Sequence, residues 1–147
     1  MSTAVKVYNK ILKYVIPKYI KHNSTTYLSE ISKAGRQLFG EKYIGTYTID
    51  KIPELKNNEC LILNLDHSYE LGSHWCSMIK FNNKLYFYDS FGRKHSKIIS
   101  KKYIREKIYE DKNYDSEQNI NEENCGQRSL AWLVFFYCYG PEKALLI

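Results

Sequence analysis

The sequence predicts an α+β fold, a mixed central sheet packed against one buried helix. Three observations lead there. Leu130 to Tyr139 contains no charge and follows Cys125-Gly126-Gln127-Arg128-Ser129, so a helix beginning near Cys125 is apolar on every side and belongs inside. Glu59-Cys60-Leu61-Ile62-Leu63-Asn64-Leu65 is a short apolar run suited to a central strand. Ser73 to Phe81 and Lys84 to Asp89 flank Asn82-Asn83, residues that tolerate the left-handed backbone of a two-residue hairpin turn.

In chain order, residues 4–20 predict a basic amphipathic helix with Val7, Ile11, Tyr14 and Val15 at helical spacing, and Pro17 kinks or ends it. Leu28 to Phe39 predicts a second helix, with Leu28, Ile31 and Leu38 apolar, Ser29 or Thr26 as cap, and Gly40 as stop. Tyr43 to Ile49 is extended, and Pro53 breaks it. The strand over 59–65, a loop from Asp66 to Gly72 and the hairpin follow. Lys97 to Glu110 predicts a helix, and Asp111 to Asn124 a long polar loop, which in a compact domain is functional or disordered.

A chain of 147 residues suits a single domain with a real core. There are 22 Lys and Arg against 16 Asp and Glu, a formal net charge of +6. That balance admits nucleic acid, an acidic partner or plain solubility. Its diffuse basic residues, in blocks no longer than two, favour a solvated surface. Cys60, Cys76, Cys125 and Cys138 form no CxxC pair and match no zinc spacing. Lys6, Lys10, Lys13 and Lys18 interrupt the early apolar runs, so no signal peptide is expected, and no stretch reaches the ~18 apolar residues that span a bilayer. Free thiols in a reducing compartment follow as the expectation.

The hairpin arranges chemistry. A turn at Asn82-Asn83 pairs Phe81 with Lys84, Cys76 with Asp89 and His74 with Phe91. His74, Cys76, Asp89 and Phe91 then share one face. His74 and Asp89 become diagonal neighbours, with Cα atoms ~7–8 Å apart. A carboxylate there accepts the Nδ1 proton of the imidazole and steadies the imidazolium. A register slip of one residue would separate them onto opposite faces.

Cys125 supplies the other half. At the open end of a helix, unpartnered N–H groups carry roughly half a positive charge, and a thiol there ionises more easily. Asn124 is the expected N-cap. Gly126 leaves room for a substrate backbone. Oxyanion donors are the Cys125 N–H and a side-chain amide, Gln118, with Asn119, Asn121 and Asn124 as rivals. A cysteine-nucleophile enzyme is the leading expectation. A non-catalytic interaction module with an inert buried thiol is its rival, and a metal site from His74, Cys76 and Cys60 is a weaker one.

The order His74, Asp89, Gln118, Cys125 resembles the adenovirus protease (adenain) family and its relatives, the ubiquitin-like-protein proteases. Tyr43-Ile44-Gly45-Thr46-Tyr47-Thr48-Ile49-Asp50-Lys51-Ile52-Pro53 resembles the early Gly-Thr-Tyr-Asp segment of adenain, Gly72-Ser73-His74-Trp75 its Gly-x-His-Trp, and Tyr86-Phe87-Tyr88-Asp89-Ser90-Phe91-Gly92 its aromatic strand ending acid-x-Phe-Gly. The interval from Gln118 to Cys125 also agrees. The likeness covers residues 27–139. Departures are Asp89 where adenain has Glu, Gln127-Arg128-Ser129 where apolar or aromatic residues are common, and an N-terminal helix without a counterpart.

The resemblance implies an adenain-like core over 27–139 within a single protease domain, 1–147, carrying an extra N-terminal helix over 1–22. It implies a viral cysteine endopeptidase that cleaves capsid or core precursor proteins during virion maturation, from a virophage, another large eukaryotic DNA virus or a transposon. His74, Asp89 and Cys125 would form the triad and Gln118 the oxyanion hole, with Trp75 and Gly126 against substrate. No metal, cofactor or membrane is required. Stimulation by DNA, known for some relatives, is admitted by the charge. A monomer in the host cytoplasm, at the virus factory, and in the virion is expected. The alternative within the same chemistry is a deconjugating protease of ubiquitin-like modifiers.

Overall fold

The computed structural model describes residues 2–65, 74–100, 104–111, 116–118 and 122–147. The expected loop over 66–72, and with it Gly72, Ser73 and His67, falls outside them, as do Asn119 and Asn121.

Helix α1 (Thr3–Lys10) begins where Ser2 Oγ accepts the Val5 N–H at 3.1 Å. It runs on as a π turn over Ile11–Val15 and a 3₁₀ turn over Ile16–Lys18. Pro17 has no N–H for the preceding turn, so the regular ladder ends there. The expected single helix is therefore three helical pieces. The wider π turn also shifts the packed stripe: Tyr8, Ile11 and Ile16 are buried, whereas Tyr14, expected on that stripe, is 61% exposed.

Helix α2 (Leu28–Phe39) has the predicted bounds, and Gly40 ends it in the left-handed region at φ 60°. Its cap is neither Ser29 nor Thr26. Tyr27 occupies the N-cap position, and its N–H donates to Glu30 Oε1 at 3.0 Å. Leu28 is exposed, and Ile31 and Ala34 carry the packing.

Among the described residues, five strands form one mixed sheet in sequential order: β1 (Tyr43–Thr48), β2 (Cys60–Asn64), β3 (Trp75–Phe81), β4 (Lys84–Tyr88) and β5 (Ile108–Tyr109). β1 and β2 are parallel, β2–β3 and β3–β4 antiparallel, and β4 and β5 parallel. Asn82 and Asn83 both have positive φ, 49° and 61°, and Phe81 pairs with Lys84, the predicted hairpin register.

The helix expected over Lys97 to Glu110 is not formed. A 3₁₀ turn spans His95–Lys97, Ile99 is buried under the sheet, and Ile108 and Tyr109 pair with Leu85 and Tyr86 as the edge strand β5. Residues 101–103 lie outside the description. Burying Ile99 and Ile108 in a cluster already built by the sheet outweighed local helical preference.

Alternation along the strands builds two cores. Cys60, Ile62, Trp75, Ile79, Tyr86 and Tyr88 face α1, α2 and the long helix α3 (Cys125–Tyr139). Leu61, Leu63, Cys76, Met78, Leu85 and Phe87 face the other way, toward Leu55, Ile99 and Ile108. α3 is buried around most of its circumference, as its uncharged sequence required. Gly140 at φ 87° ends it, and a short helix α4 (Pro141–Ala144) closes over Trp132, whose Nε1 donates to Ala144 O at 3.1 Å. Among the described residues, no helix is long and apolar enough to cross a membrane.

Candidate active site

The site lies at one end of the hairpin. His74 stands one residue before β3, and Asp89 one residue after β4. The ladder that pairs Ser77 with Tyr88 sets them diagonally, and their side chains meet: His74 Nε2 lies 2.6 Å from Asp89 Oδ1. The imidazole stacks on Phe91 with ring centroids 4.8 Å apart. The nitrogen bound to the carboxylate is Nε2, not the expected Nδ1. The diagonal spacing is long, and the far nitrogen of a ring laid flat on Phe91 spans it. Nδ1 is left clear of the carboxylate, and the neighbouring Cys125 thiol contributes to raising the His74 pKa.

Two buried hydroxyls fix Cys125 against this hairpin. Ser129, one turn further along α3, donates to Trp75 O at 3.1 Å, and Ser77 on β3 donates to Ser129 O at 3.1 Å. Trp75 adjoins His74, so the helix carrying the sulfur is tied to the strand carrying the ring. Each such bond is worth roughly 1 kcal/mol net, and more is lost when one partner is removed and the other stays buried. Cys125 N–H, in the first turn of α3, has no intrahelical acceptor.

The electrostatics favour a charged imidazole. Burial pushes the Asp89 carboxyl upward, but hydrogen bonds and charge from His74 and Arg93 outweigh it and hold the group below the usual carboxylate range. Burial likewise lowers the His74 pKa, yet bonding to Asp89 and Cys125 wins and raises it above its ordinary value. Cys76 lies against the same carboxylate, Sγ 3.6 Å from Asp89 Oδ1, and burial and that negative charge drive its thiol pKa well up. The trio is nearly enclosed: Cys125 is 5% exposed, His74 8% and Asp89 5%.

Arg93 was missed in the sequence. After the Asp89-Ser90-Phe91-Gly92 turn, with Gly92 at φ 70°, the chain doubles back. Arg93 Nε donates to Asp89 Oδ2 at 2.8 Å, and its backbone N–H to the same oxygen at 3.0 Å. A base four residues past an acid, across a glycine turn, was the available signal. Ser90 was missed too. Its Oγ donates to Gln118 Oε1 at 2.5 Å, and its carbonyl accepts the Gln118 N–H at 3.1 Å.

Gln118 is thus buried and oriented, with Nε2 donating to Glu122 O at 2.6 Å, three residues before Cys125. That amide carries a second N–H. Its rival Asn124 occupies the N-cap position, but its side chain does not cap: Oδ1 accepts from Arg128 Nε at 3.1 Å. The two residues expected against substrate, Gly126 and Trp75, are both closely packed. A Cβ on Gly126 would lie 2.4 Å from Thr26 Oγ1 and 2.5 Å from Ile31 Cδ1, so its missing side chain admits the close approach of Thr26 and Ile31. Trp75, expected as a groove wall, is 2% exposed and belongs to the main core. Arg128 is buried as well.

Among the described residues, His74, Cys76 and Asp89 offer ligand atoms within 4.8 Å of one another. They fit a cation poorly, because the Arg93 guanidinium already occupies the carboxylate and Cys76 is held as the neutral thiol. Cys60 points to the opposite face of the sheet, and burial pushes its thiol up to about 12. No protein-family model matches the sequence, and no curated protein sequence matches it either.

Proposed function

We propose that the chain is a cysteine endopeptidase of the adenain-like kind. The carrying observation is the contiguous set Asp89–His74–Cys125, with the sulfur at the start of α3 and the carboxylate 2.6 Å behind the ring. His74 takes the Cys125 proton, and the thiolate attacks the scissile carbonyl. The Cys125 N–H and the Gln118 amide stabilise the oxyanion. His74 returns its proton to the leaving amine, and water hydrolyses the thioester. Asp89, braced by Arg93, keeps the imidazole oriented and charged when needed.

The four motifs in adenain order support precursor polypeptides of a viral capsid or core as substrates. The test is cleavage of a co-expressed capsid precursor. Cys125→Ala and His74→Ala should each abolish it, and processing retained in either variant refutes the assignment. A ubiquitin or SUMO C-terminal probe that labels Cys125 would move the substrate to modifier conjugates. The second reading, a non-catalytic module, is favoured by the low exposure of Cys125. It predicts a thiol no more reactive than Cys60 or Cys76.

A further inference from the structure

We infer that Tyr8, on the N-terminal helix, is a positioning residue for the oxyanion side of the site; this rests on the proposed peptidase reading. Tyr8 is 0% exposed and its hydroxyl sits at a junction. It meets Tyr88 OH at 2.7 Å, and Tyr88 OH donates to Glu117 Oε2 at 3.4 Å, next to Gln118. On its other side it accepts from Arg128 Nη1 at 3.4 Å. Arg128 Nη2 then holds Glu122 Oε2 at 2.9 Å, and the Glu122 carbonyl accepts the Gln118 amide at 2.6 Å. Arg128 Nε also holds Asn124, the residue before Cys125.

Both routes from Tyr8 end at the segment carrying Gln118. One runs through the hairpin and one through α3. The segment itself is polar and makes no helix or strand over 116–118 or 122–124, so bonds from its neighbours fix it: the Ser90 carbonyl takes the Glu117 and Gln118 N–H groups, and side chains supply the rest. Burial pushes the Tyr8 hydroxyl up to about 12, so it stays neutral and can donate and accept at once. Tyr8→Phe keeps the ring, which packs edge-on to Tyr88 at 6.1 Å, and removes only the junction. The helix over 3–10 thus has a chemical task that its plain packing does not require.

The test compares wild type, Tyr8→Phe, Gln118→Ala and the double variant on a fluorogenic peptide amide ending in Gly-Gly, with amide hydrogen exchange alongside. Glu122→Ala breaks the same circuit further along, by removing the acceptor of Arg128 Nη2, and serves if Tyr8→Phe folds poorly. Gln118→Ala should lower kcat by about a hundredfold, as loss of one oxyanion donor does. Tyr8→Phe should lower kcat by about tenfold with KM within about twofold, raise exchange over 116–118 and 122–124, and add almost nothing on top of Gln118→Ala. Fully additive losses, or unchanged exchange with wild-type kcat, overturn the role of Tyr8 while leaving the peptidase intact. A wild-type chain that neither cleaves nor shows a fast Cys125 overturns both.

Discussion

Cys125 and Cys76 make an instructive pair. Both are buried, and both lie within reach of the same His74–Asp89 couple. Cys76 sits on the carboxylate side, one strand across from Asp89, and faces negative charge in a dry core. Its proton is held. Cys125 sits on the imidazole side, at the end of a 15-residue helix whose first N–H groups have no intrahelical partners. Under the proposed mechanism, the position of each sulfur relative to the His74–Asp89 couple, not its depth, separates the nucleophile from the bystander.

Breaking the pair at its centre should have the largest effect. Asp89→Asn removes the charge that raises the His74 pKa and leaves Arg93 without its anion. Peptidase activity should fall about 10³–10⁴-fold, measured as kcat on a peptide substrate. Cys76 should become easier to alkylate in the same protein, which a purely structural loss at Cys125 would not produce.

Arg93→Ala tests the brace alone. It removes two hydrogen bonds from an acid that His74 and backbone N–H groups still serve, so activity should drop about tenfold, and an Arg93→Lys chain should recover only part of it, because lysine lacks the planar fork. Equal rates in Lys and Arg chains would leave Arg93 with charge as its only role.

pH sharpens the contrast in stability. The Asp89 pKa is depressed on folding, so its contribution is present above the unfolded value of about 3.9 and is lost as pH falls through the lower folded value. The His74 pKa is raised, so its contribution is full below about 6.5 and is lost as pH rises through the folded value. Urea midpoints of wild type minus His74→Ala should therefore shrink from pH 6 toward pH 9. A difference that grows over that window would reverse the sign of the His74 shift.

Ser129→Ala should give a smaller effect. It frees the buried Trp75 carbonyl and loosens α3 from β3, costing about 1–3 kcal/mol in denaturation, with Cys125 less well aligned. Cys76→Ala should be mildest at the site. It deletes a thiol that the proposed reaction does not use, so kcat should stay within about threefold while stability falls modestly.

The sequence carried the hairpin further than any other part. Asn82-Asn83 at positive φ set the register, and the register set His74 beside Asp89, because period-two alternation leaves little freedom. The uncharged run after Cys125 likewise specified α3. What escaped depends on contacts between distant segments. The ring nitrogen facing Asp89 follows from stacking on Phe91. Gly126 reads as open space until Thr26 and Ile31 arrive from the N-terminal half. Ile99 and Ile108 look helical until β4 offers an edge. Tyr8 and Ser90 have ordinary local surroundings, and only the folded chain brings them to Arg128 and Gln118, whereas Arg93 was readable from its four-residue spacing to Asp89.

The most direct measurement is the iodoacetamide rate of each thiol at pH 7, resolved by peptide mass spectrometry in a chain where exposed Cys138 is replaced by serine. Cys125 should label at least about a hundredfold faster than Cys76 or Cys60, and His74→Ala should erase that lead. A Cys125 that labels as slowly as Cys76, with no response to His74→Ala, would contradict the account.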